Sequence, residues 1–179
     1  MKGFANRINS VEEYYFSAKL REVNQMIADG KAVINLGIGS PDLSPDRSVI
    51  EALRSTADNQ KAHGYQNYQG IPELRIAMAE FYAREYGVQL NSAKEILPLM
   101  GSKEGIMHLS MTFLKPGDQV LIPDPGYPTY SAVAKLLGAK PVFYQLDLTR
   151  KGRPDLETLE QTDLTKVKVM WINYPHMPT

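Results

Sequence analysis

Hydrophobic residues recur along the chain with two different spacings, and these spacings predict its helices and strands. Apolar side chains at helical spacing between residues 10 and 29 predict an amphipathic helix that Ser10 caps and Gly30 ends. Further helices are predicted at residues 46–55, 72–86, 103–114, 127–137 and 155–161. Strands are predicted at the short apolar runs 33–36, 96–100, 119–122, 141–146 and 167–172.

From residue 46 onward, the predicted strands and helices alternate. Because this alternation is typical of parallel strands joined by crossover helices, we expect an α/β fold with a mostly parallel sheet and helices on both faces. The helix at residues 10–29 precedes the alternation and is expected to lie apart from the sheet. Ligands of such sheets bind at the carboxyl ends of the strands, so the residues that directly follow each strand are the candidates for a functional site.

The composition narrows the class of protein. The 179 residues are 43% hydrophobic and 22% charged, which is typical of a soluble globular chain with one domain or one domain plus part of another. Twenty basic residues are balanced by 20 acidic ones, so the chain lacks the basic excess of a nucleic-acid-binding protein. The absence of cysteine excludes disulfides and cysteine-based metal sites, and no metal site is predicted. Since neither a signal peptide nor an apolar run of membrane length is found, we expect a cytoplasmic protein without membrane contact.

The turn before the helix at residues 103–114 is a candidate for anion binding. Gly101 permits a close backbone turn, Ser102 adds a hydroxyl group and Lys103 adds a positive charge. Phosphate groups bind at helix N termini because the free N–H groups and the helix dipole attract them. The same residues are also compatible with an ordinary capped helix, and their spacing is not that of a Walker loop.

Three other polar or proline-rich segments are considered as candidates for a functional site. Residues 123–130 contain three prolines and a glycine, which predicts a rigid loop that holds Tyr127 either against a flat heterocycle or against the loop itself. Residues 173–179 follow the most apolar strand and include His176, which we interpret as a loop residue because no partner carboxylate can be placed beside it. Residues 63–75 are compatible with contact to a ligand or to a partner chain.

Five motifs occur in one order along the chain, and as a set they resemble the class I and II aminotransferases, which are pyridoxal-phosphate (PLP) enzymes of fold type I. The motifs are residues 35–42 (NLGIGSPD), Tyr65 with residues 70–75 (GIPELR), 101–103 (GSK), 125–130 (PGYPTY) and 173–179 (NYPHMPT). The resemblance extends from about residue 30 to the end of the chain. It implies a transaminase of amino-acid metabolism that acts on small amino acids and 2-keto acids as a homodimer.

The resemblance also implies a domain organisation. Residues 1–45 would form an N-terminal arm and a segment of the small domain, and residues 46–179 would form part of the large PLP-binding domain. Gly39 matches the glycine that lies beside the substrate carboxylate in the family. Tyr65 matches the tyrosine that reaches the cofactor phosphate of the partner subunit.

The remaining implied roles concern the cofactor. Gly101, Ser102 and Lys103 match the phosphate-binding turn of the family, and Tyr127 matches the aromatic residue that stacks on the pyridine ring. Met177 departs from the pattern, because the family has an asparagine there whose amide donates to the phenolic oxygen of the cofactor. A thioether has no proton to donate.

The lysine that forms the Schiff base in this family is expected beyond Thr179, as are the aspartate and arginine of the family pattern. No catalytic residue is therefore assigned within the chain, and the chain alone is expected to be an inactive fragment. The alternatives are a non-catalytic phosphate- or PLP-binding module, another fold type I PLP enzyme such as a lyase or synthase, and a nucleotide-binding α/β domain. The last alternative requires a Gly-x-Gly-x-x-Gly motif, and residues 37–42 lack its final glycine.

Overall fold

The computed structural model describes residues 3–10, 13–37 and 39–179. The chain divides into two compact units, Glu13–Pro98 and Met1–Glu12 with Leu99–Thr179. The domain assignment of residues 1–45 and 46–179 stays a prediction.

The unit Glu13–Pro98 is helical within the described residues. Its helices are α1 (Tyr15–Ala28), α2 (Arg47–Ala57) and α3 (Pro72–Tyr86). Helix α2 begins where the carboxylate of Asp46 accepts the backbone N–H of Ser48, which is the usual N-cap arrangement. Helix α3 begins at Pro72, whose missing N–H costs nothing in the first turn. Across the part of the chain that the structure describes, no helix is both long and apolar enough to cross a membrane.

Two predicted strands are wrong. Residues 33–36 and 96–100 are irregular. Ile34 and Leu36 are 87% and 89% exposed, so their backbone lies in the open and not beside another strand. An extended segment needs a hydrogen-bonded neighbour to become part of a sheet, and the apolar run does not supply one.

The predicted start of the first helix is also wrong. Ser10 ends a short 3₁₀ helix, Asn6–Ser10, and α1 starts only after Tyr14, which forms no side-chain cap. Glu13 lies before α1, and its carboxylate pairs with the guanidinium of Arg21 in that helix. Val11, at the start of the predicted periodicity, lies outside the described residues.

The second unit contains the sheet. Its strands are β1 (Gln119–Asp124), β2 (Lys140–Asp147), β3 (Arg153–Pro154) and β4 (Val167–Met170), and its helices are α4 (Ser102–Phe113), α5 (Pro128–Leu136) and α6 (Leu156–Glu160). The strand order is β3-β2-β1-β4. Strand β1 pairs in parallel with β2 and with β4, and only the two-residue β3 runs antiparallel to its neighbour. The predicted mostly parallel α/β sheet is confirmed.

Helices cover both faces of this sheet. On one face, Val120 and Ile122 of β1 pack with Ile106 of α4 and Val133 of α5. On the other face, Leu121 packs with residues of β2 and with Leu159 of α6. Alternate residues of β1 therefore enter two separate cores, which explains why residues 120–123 of this strand are apolar without interruption.

Tyr144 of β2 belongs to the core that contains Leu121 and Leu159, and its burial there can be tested. Its side chain is 3% exposed, and burial raises the pKa of Tyr144 to about 12 from an ordinary value of 10.0. Because the folded-state pKa lies above the unfolded one, the stabilisation by the neutral phenol is complete below pH 10 and is lost as the pH rises through about 12. We expect the free energy of unfolding to fall more steeply between these pH values in the wild type than in Tyr144→Phe, as measured by urea titrations.

The matched control for this pH dependence is Tyr86→Phe. It removes a hydroxyl group from a ring that is 64% exposed, and it should keep the wild-type slope. Equal slopes for the wild type and Tyr144→Phe would contradict the role of burial.

Candidate cofactor site

An open cavity of about 550 Å³ lies in the second unit, where residues directly after β1 and β4 come together. Its polar and aromatic lining consists of Ser102, Tyr127, Tyr130, Trp171 and Asn173, and Met177 adds a thioether. Leu99, Ile106 and Leu109 add apolar surface. Parallel strands bring their carboxyl ends to one edge, which is why residues distant in sequence share this cavity. Its volume lies within the range of small-molecule sites.

The N terminus of α4 lines one side of the cavity. Gly101 precedes the helix with φ 101° and ψ 160°, and Ser102 is its first residue. The carboxylate of Glu104 turns back and accepts the N–H of Met100 over 2.6 Å, which closes the turn. The backbone N–H and the hydroxyl group of Ser102 donate to none of the described residues. This helix end therefore presents available donors, which is the arrangement that binds phosphate.

Tyr127 forms the aromatic side of the cavity. Its residue precedes α5 in an extended conformation, and its ring contacts the ring of Tyr130 edge-on, with centroids 5.7 Å apart and planes at 83°. The ammonium group of Lys103 lies 5.9 Å from the centroid of the Tyr127 ring. A cation at this distance from an aromatic ring is attracted to its face. The tyrosine is therefore held between α4 and α5.

The segment after β4 is folded by its own side chains. The Asn173 amide oxygen accepts the backbone N–H of Met177 over 3.0 Å, and His176 Nδ1 lies 2.7 Å from the hydroxyl group of Thr179. The hydroxyl group of Tyr174 donates to the carbonyl oxygen of Gly152 over 2.8 Å. These contacts hold the turn that brings Met177 into the cavity lining.

Tyr130 lies behind Tyr127 at the boundary of the cavity and the core. It is 7% exposed, and burial is the main cause that raises the pKa of its phenol above the ordinary value. Tyr130 therefore stays neutral over the physiological pH range and offers a ring, without charge, to its neighbours.

The structure brings some of the predicted site residues together. Ser102, Tyr127 and Met177 line the same cavity, and Lys103 is beside Tyr127. Gly39 and Tyr65 belong to the other compact unit. In that unit, both residues are exposed, Tyr65 completely so. Ile38, in the motif of Gly39, lies outside the described residues.

Two aromatic residues of the cavity, Tyr130 and Trp171, were given no role in the sequence analysis. Tyr130 lies three positions after Tyr127 at the start of a helix, a spacing that places both residues on one side of it. Trp171 is the only tryptophan in the sequence and follows directly after β4. The spacing of Tyr130 and the position of Trp171 can both be read from the sequence. Neither feature indicates that the two rings are in contact.

The residues of the cavity fit PLP in two respects. The donors of Ser102 and the charge of Lys103 suit the phosphate group, and the ring of Tyr127 suits the pyridine ring. Met177 has no proton to donate to the phenolic oxygen of PLP.

The chain belongs to the family of class I and II aminotransferases, whose sequence profile matches residues 31–179. Pyridoxal phosphate is the cofactor that this membership implies. The LL-diaminopimelate aminotransferase of Dehalococcoides mccartyi (strain ATCC BAA-2266 / KCTC 15142 / 195) is 40% identical over 175 residues, which are 98% of this chain and 45% of that enzyme. The enzyme of the same name from Aquifex aeolicus (strain VF5) is 38% identical over 176 residues, again 98% of this chain and 46% of the relative.

Solved structures agree with this family. The apo structure of BacF from Bacillus subtilis has a TM-score of 0.90 and 36% identity, and the match covers 100% of this chain and 46% of BacF. An aspartate aminotransferase from Rhizobium meliloti has a TM-score of 0.90 and 28% identity, over 100% of this chain and 44% of that chain. The predicted fold type I is therefore confirmed, and the chain spans a little less than half the length of the relatives it matches.

Proposed function

We propose that this chain forms the phosphate- and ring-binding part of a PLP-dependent aminotransferase that moves an amino group between an amino acid and a 2-keto acid. The observation that carries the proposal is the meeting of Ser102 and Tyr127 in one cavity, at the carboxyl ends of parallel strands. An anion-binding helix end and a stacking surface are what a flat phosphorylated cofactor requires. Membership of the aminotransferase family supports the type of reaction.

The proposed work of this chain is to bind and orient. PLP, when bound, supplies an electron sink for the bonds at the substrate α-carbon. The N–H and hydroxyl groups of Ser102 donate to phosphate oxygens, and Lys103 balances their charge. Tyr127 fixes the plane of the pyridine ring by stacking. Met177 lines the cavity with a thioether, which would offer the phenolic oxygen no proton donor from this position.

LL-diaminopimelate is the first amino donor that we propose. Relatives with 38–41% identity over 98% of this chain carry the name LL-diaminopimelate aminotransferase. The test uses the protein expressed from its complete reading frame, loaded with PLP, and a panel of amino acids that includes LL-diaminopimelate. Amino transfer should change the cofactor spectrum and release a 2-keto acid, and added 2-oxoglutarate should then restore the spectrum and yield glutamate.

This experiment separates the proposal from its alternatives. A lyase would release product without passing the amino group to 2-oxoglutarate. A non-catalytic module would bind PLP and show no spectral response to any amino acid. A response to other amino acids but not to LL-diaminopimelate would reject only the proposed donor.

We also propose that the complete protein is a cytoplasmic two-fold dimer in which Tyr65 reaches the partner's cofactor phosphate. Its fully exposed ring and the 87% exposed ring of Tyr68 support a role in contact with another molecule. Co-expressing Tyr65→Ala and Tyr127→Ala variants tests this, because a mixed dimer regains one intact site. Up to about a quarter of the wild-type PLP sites should return. No recovery in verified mixed dimers would refute the shared site.

Met177→Asn is expected to shift the pH at which the visible absorbance of the bound cofactor changes. The new amide donates to the phenolic oxygen and stabilises its deprotonated form, so the midpoint should move to lower pH. Spectra recorded across pH for the wild type and the variant measure the shift. Met177→Leu, which has similar bulk and no donor, is the control and should keep the wild-type midpoint. Superimposable titrations of Met177→Asn and Met177→Leu would show that another group already supplies the donor.

A further inference from the structure

We propose that Trp171 is a positioning residue for the cofactor site, and that it sets the plane of the Tyr127 ring through Tyr130. The inference rests on the proposed function, in which Tyr127 is the surface that carries the cofactor ring. Trp171 would have no contact with the reacting atoms. Its effect would be on the angle at which the cofactor is held.

The first contact in this series joins Trp171 and Tyr130. Their rings are stacked, with centroids 5.0 Å apart and planes only 9° from parallel. Tyr130 is 7% exposed and belongs to the core cluster of α4, α5 and β1. A buried ring with a parallel neighbour has little freedom to tilt, so Trp171 fixes the plane of Tyr130.

The second contact joins Tyr130 and Tyr127. The edge-to-face arrangement, with planes at 83°, is one of the two geometries that aromatic pairs prefer. Tyr127 is otherwise partly exposed, and it precedes α5 without a side-chain cap. The plane of Tyr127 therefore depends on the plane of Tyr130, since a rotation of one ring removes the preferred contact with the other.

Trp171 is itself anchored by its backbone. Its N–H donates to the carbonyl oxygen of Leu121 in β1 over 2.9 Å. Its own carbonyl oxygen accepts the hydroxyl group of Tyr144 in β2 over 2.7 Å. Trp171 is thus hydrogen-bonded to two strands of the sheet. Through its contact with Tyr130, it restricts the orientation of the Tyr127 ring in the cavity.

The indole N–H indicates which part of the Trp171 side chain contributes to positioning Tyr130. Its Nε1 atom is buried and has no hydrogen-bond partner among the described residues. A donor left unpaired does not stabilise the fold, so the contribution of Trp171 comes from its flat ring. Phenylalanine should then replace tryptophan with little loss, whereas leucine should not.

The test compares Trp171→Leu and Trp171→Phe in the protein expressed from its complete reading frame. The circular dichroism of the bound cofactor in its visible absorption band reports the orientation of its ring, and it is measured at saturating PLP. We expect Trp171→Leu to alter this signal per bound cofactor and to weaken PLP binding by roughly tenfold. Trp171→Phe should keep both the wild-type signal per bound cofactor and the wild-type PLP affinity. The control is Leu164→Val, which changes a 46% exposed residue outside the cavity lining and should match the wild type.

Thermal unfolding of the PLP-free variants separates positioning from stability. A Trp171→Leu protein that is less stable but gives the wild-type signal per bound cofactor would overturn the inference. If Trp171→Leu does not fold, Trp171→Met takes its place, because it fills more of the space without a ring. A changed signal in Tyr127→Leu together with none in the Trp171 variants rejects this inference alone. No change in Tyr127→Leu rejects the proposed cofactor site as well.

Discussion

Replacing Gly126 by alanine is expected to remove most of the PLP affinity and to destabilise the fold by about 2 kcal/mol. A β-carbon on Gly126 would lie 2.2 Å from the carbonyl oxygen of Pro123 and 3.1 Å from the Pro123 side chain. The nearest atom belongs to the backbone of the buried Pro123 in β1, so a rotating side chain cannot relieve the contact. The loop has to move, and Tyr127 is its next residue.

The control for this substitution is Gly64→Ala. Gly64 has no atom within 4 Å of an added β-carbon and a φ of −73°, which alanine adopts without strain. Urea unfolding and PLP titration of both variants measure the two effects. Wild-type values for Gly126→Ala would show that the loop adjusts without disturbing Tyr127, and the close approach would then have no functional meaning.

The sheet was predictable because each of its strands has a hydrogen-bonded neighbour. The apolar runs that became β1, β2 and β4 each have a neighbouring strand, and helices cover the two faces of β1. The run at residues 33–36 has the same local character and stays irregular, with Ile34 largely exposed. Hydrophobic periodicity reports which residues prefer burial, and it does not report whether a partner strand is within reach.

The bounds of the helices follow from local chemistry more closely than those of the strands. Helix α3 covers Pro72–Tyr86 as predicted, because proline suits the first turn and Gly87 follows the last one. Helix α1 begins later than predicted, where no residue caps it with a side chain. A serine before an apolar pattern is a cap only if the backbone turns there, and the chain around Ser10 forms a 3₁₀ helix instead.

The candidate site was predictable to the extent that topology dictates it. Residues after the parallel strands β1 and β4 meet at one edge, so Tyr127 and Met177 share a cavity although a long segment separates them. Ser102 reaches this cavity because α4 packs on β1, although the described residues directly before it form no strand. The stacking of Tyr130 on Trp171 depends on the depth at which α5 packs and on the exact end of β4. Neither quantity is encoded in local spacing, which is why the aromatic series behind Tyr127 emerged only from the structure.

The second large effect is expected at Gly101. Its backbone, with φ 101° and ψ 160°, lies in a region that residues with a β-carbon rarely adopt, and forcing alanine into it costs about 1–3 kcal/mol. No atom lies within 4 Å of an added β-carbon, so the cost comes from the backbone conformation and not from crowding. The turn is expected to relax by moving the start of α4, and Ser102 moves with it. PLP binding should weaken by about tenfold in Gly101→Ala, as measured by titration.

Pyridoxal, which lacks the phosphate group, shows which part of the cofactor each turn holds. If the start of α4 binds phosphate, Gly101→Ala should weaken the binding of PLP and leave the weaker binding of pyridoxal nearly unchanged. Gly126→Ala should weaken both ligands, because it displaces the ring of Tyr127 and not the phosphate donors. The affinity for PLP divided by the affinity for pyridoxal is thus expected to fall in Gly101→Ala. In Gly126→Ala this ratio should stay near the wild-type value. Equal losses for PLP and pyridoxal in Gly101→Ala would mean that this turn acts on the ring, and the assignment of Ser102 to the phosphate would be wrong.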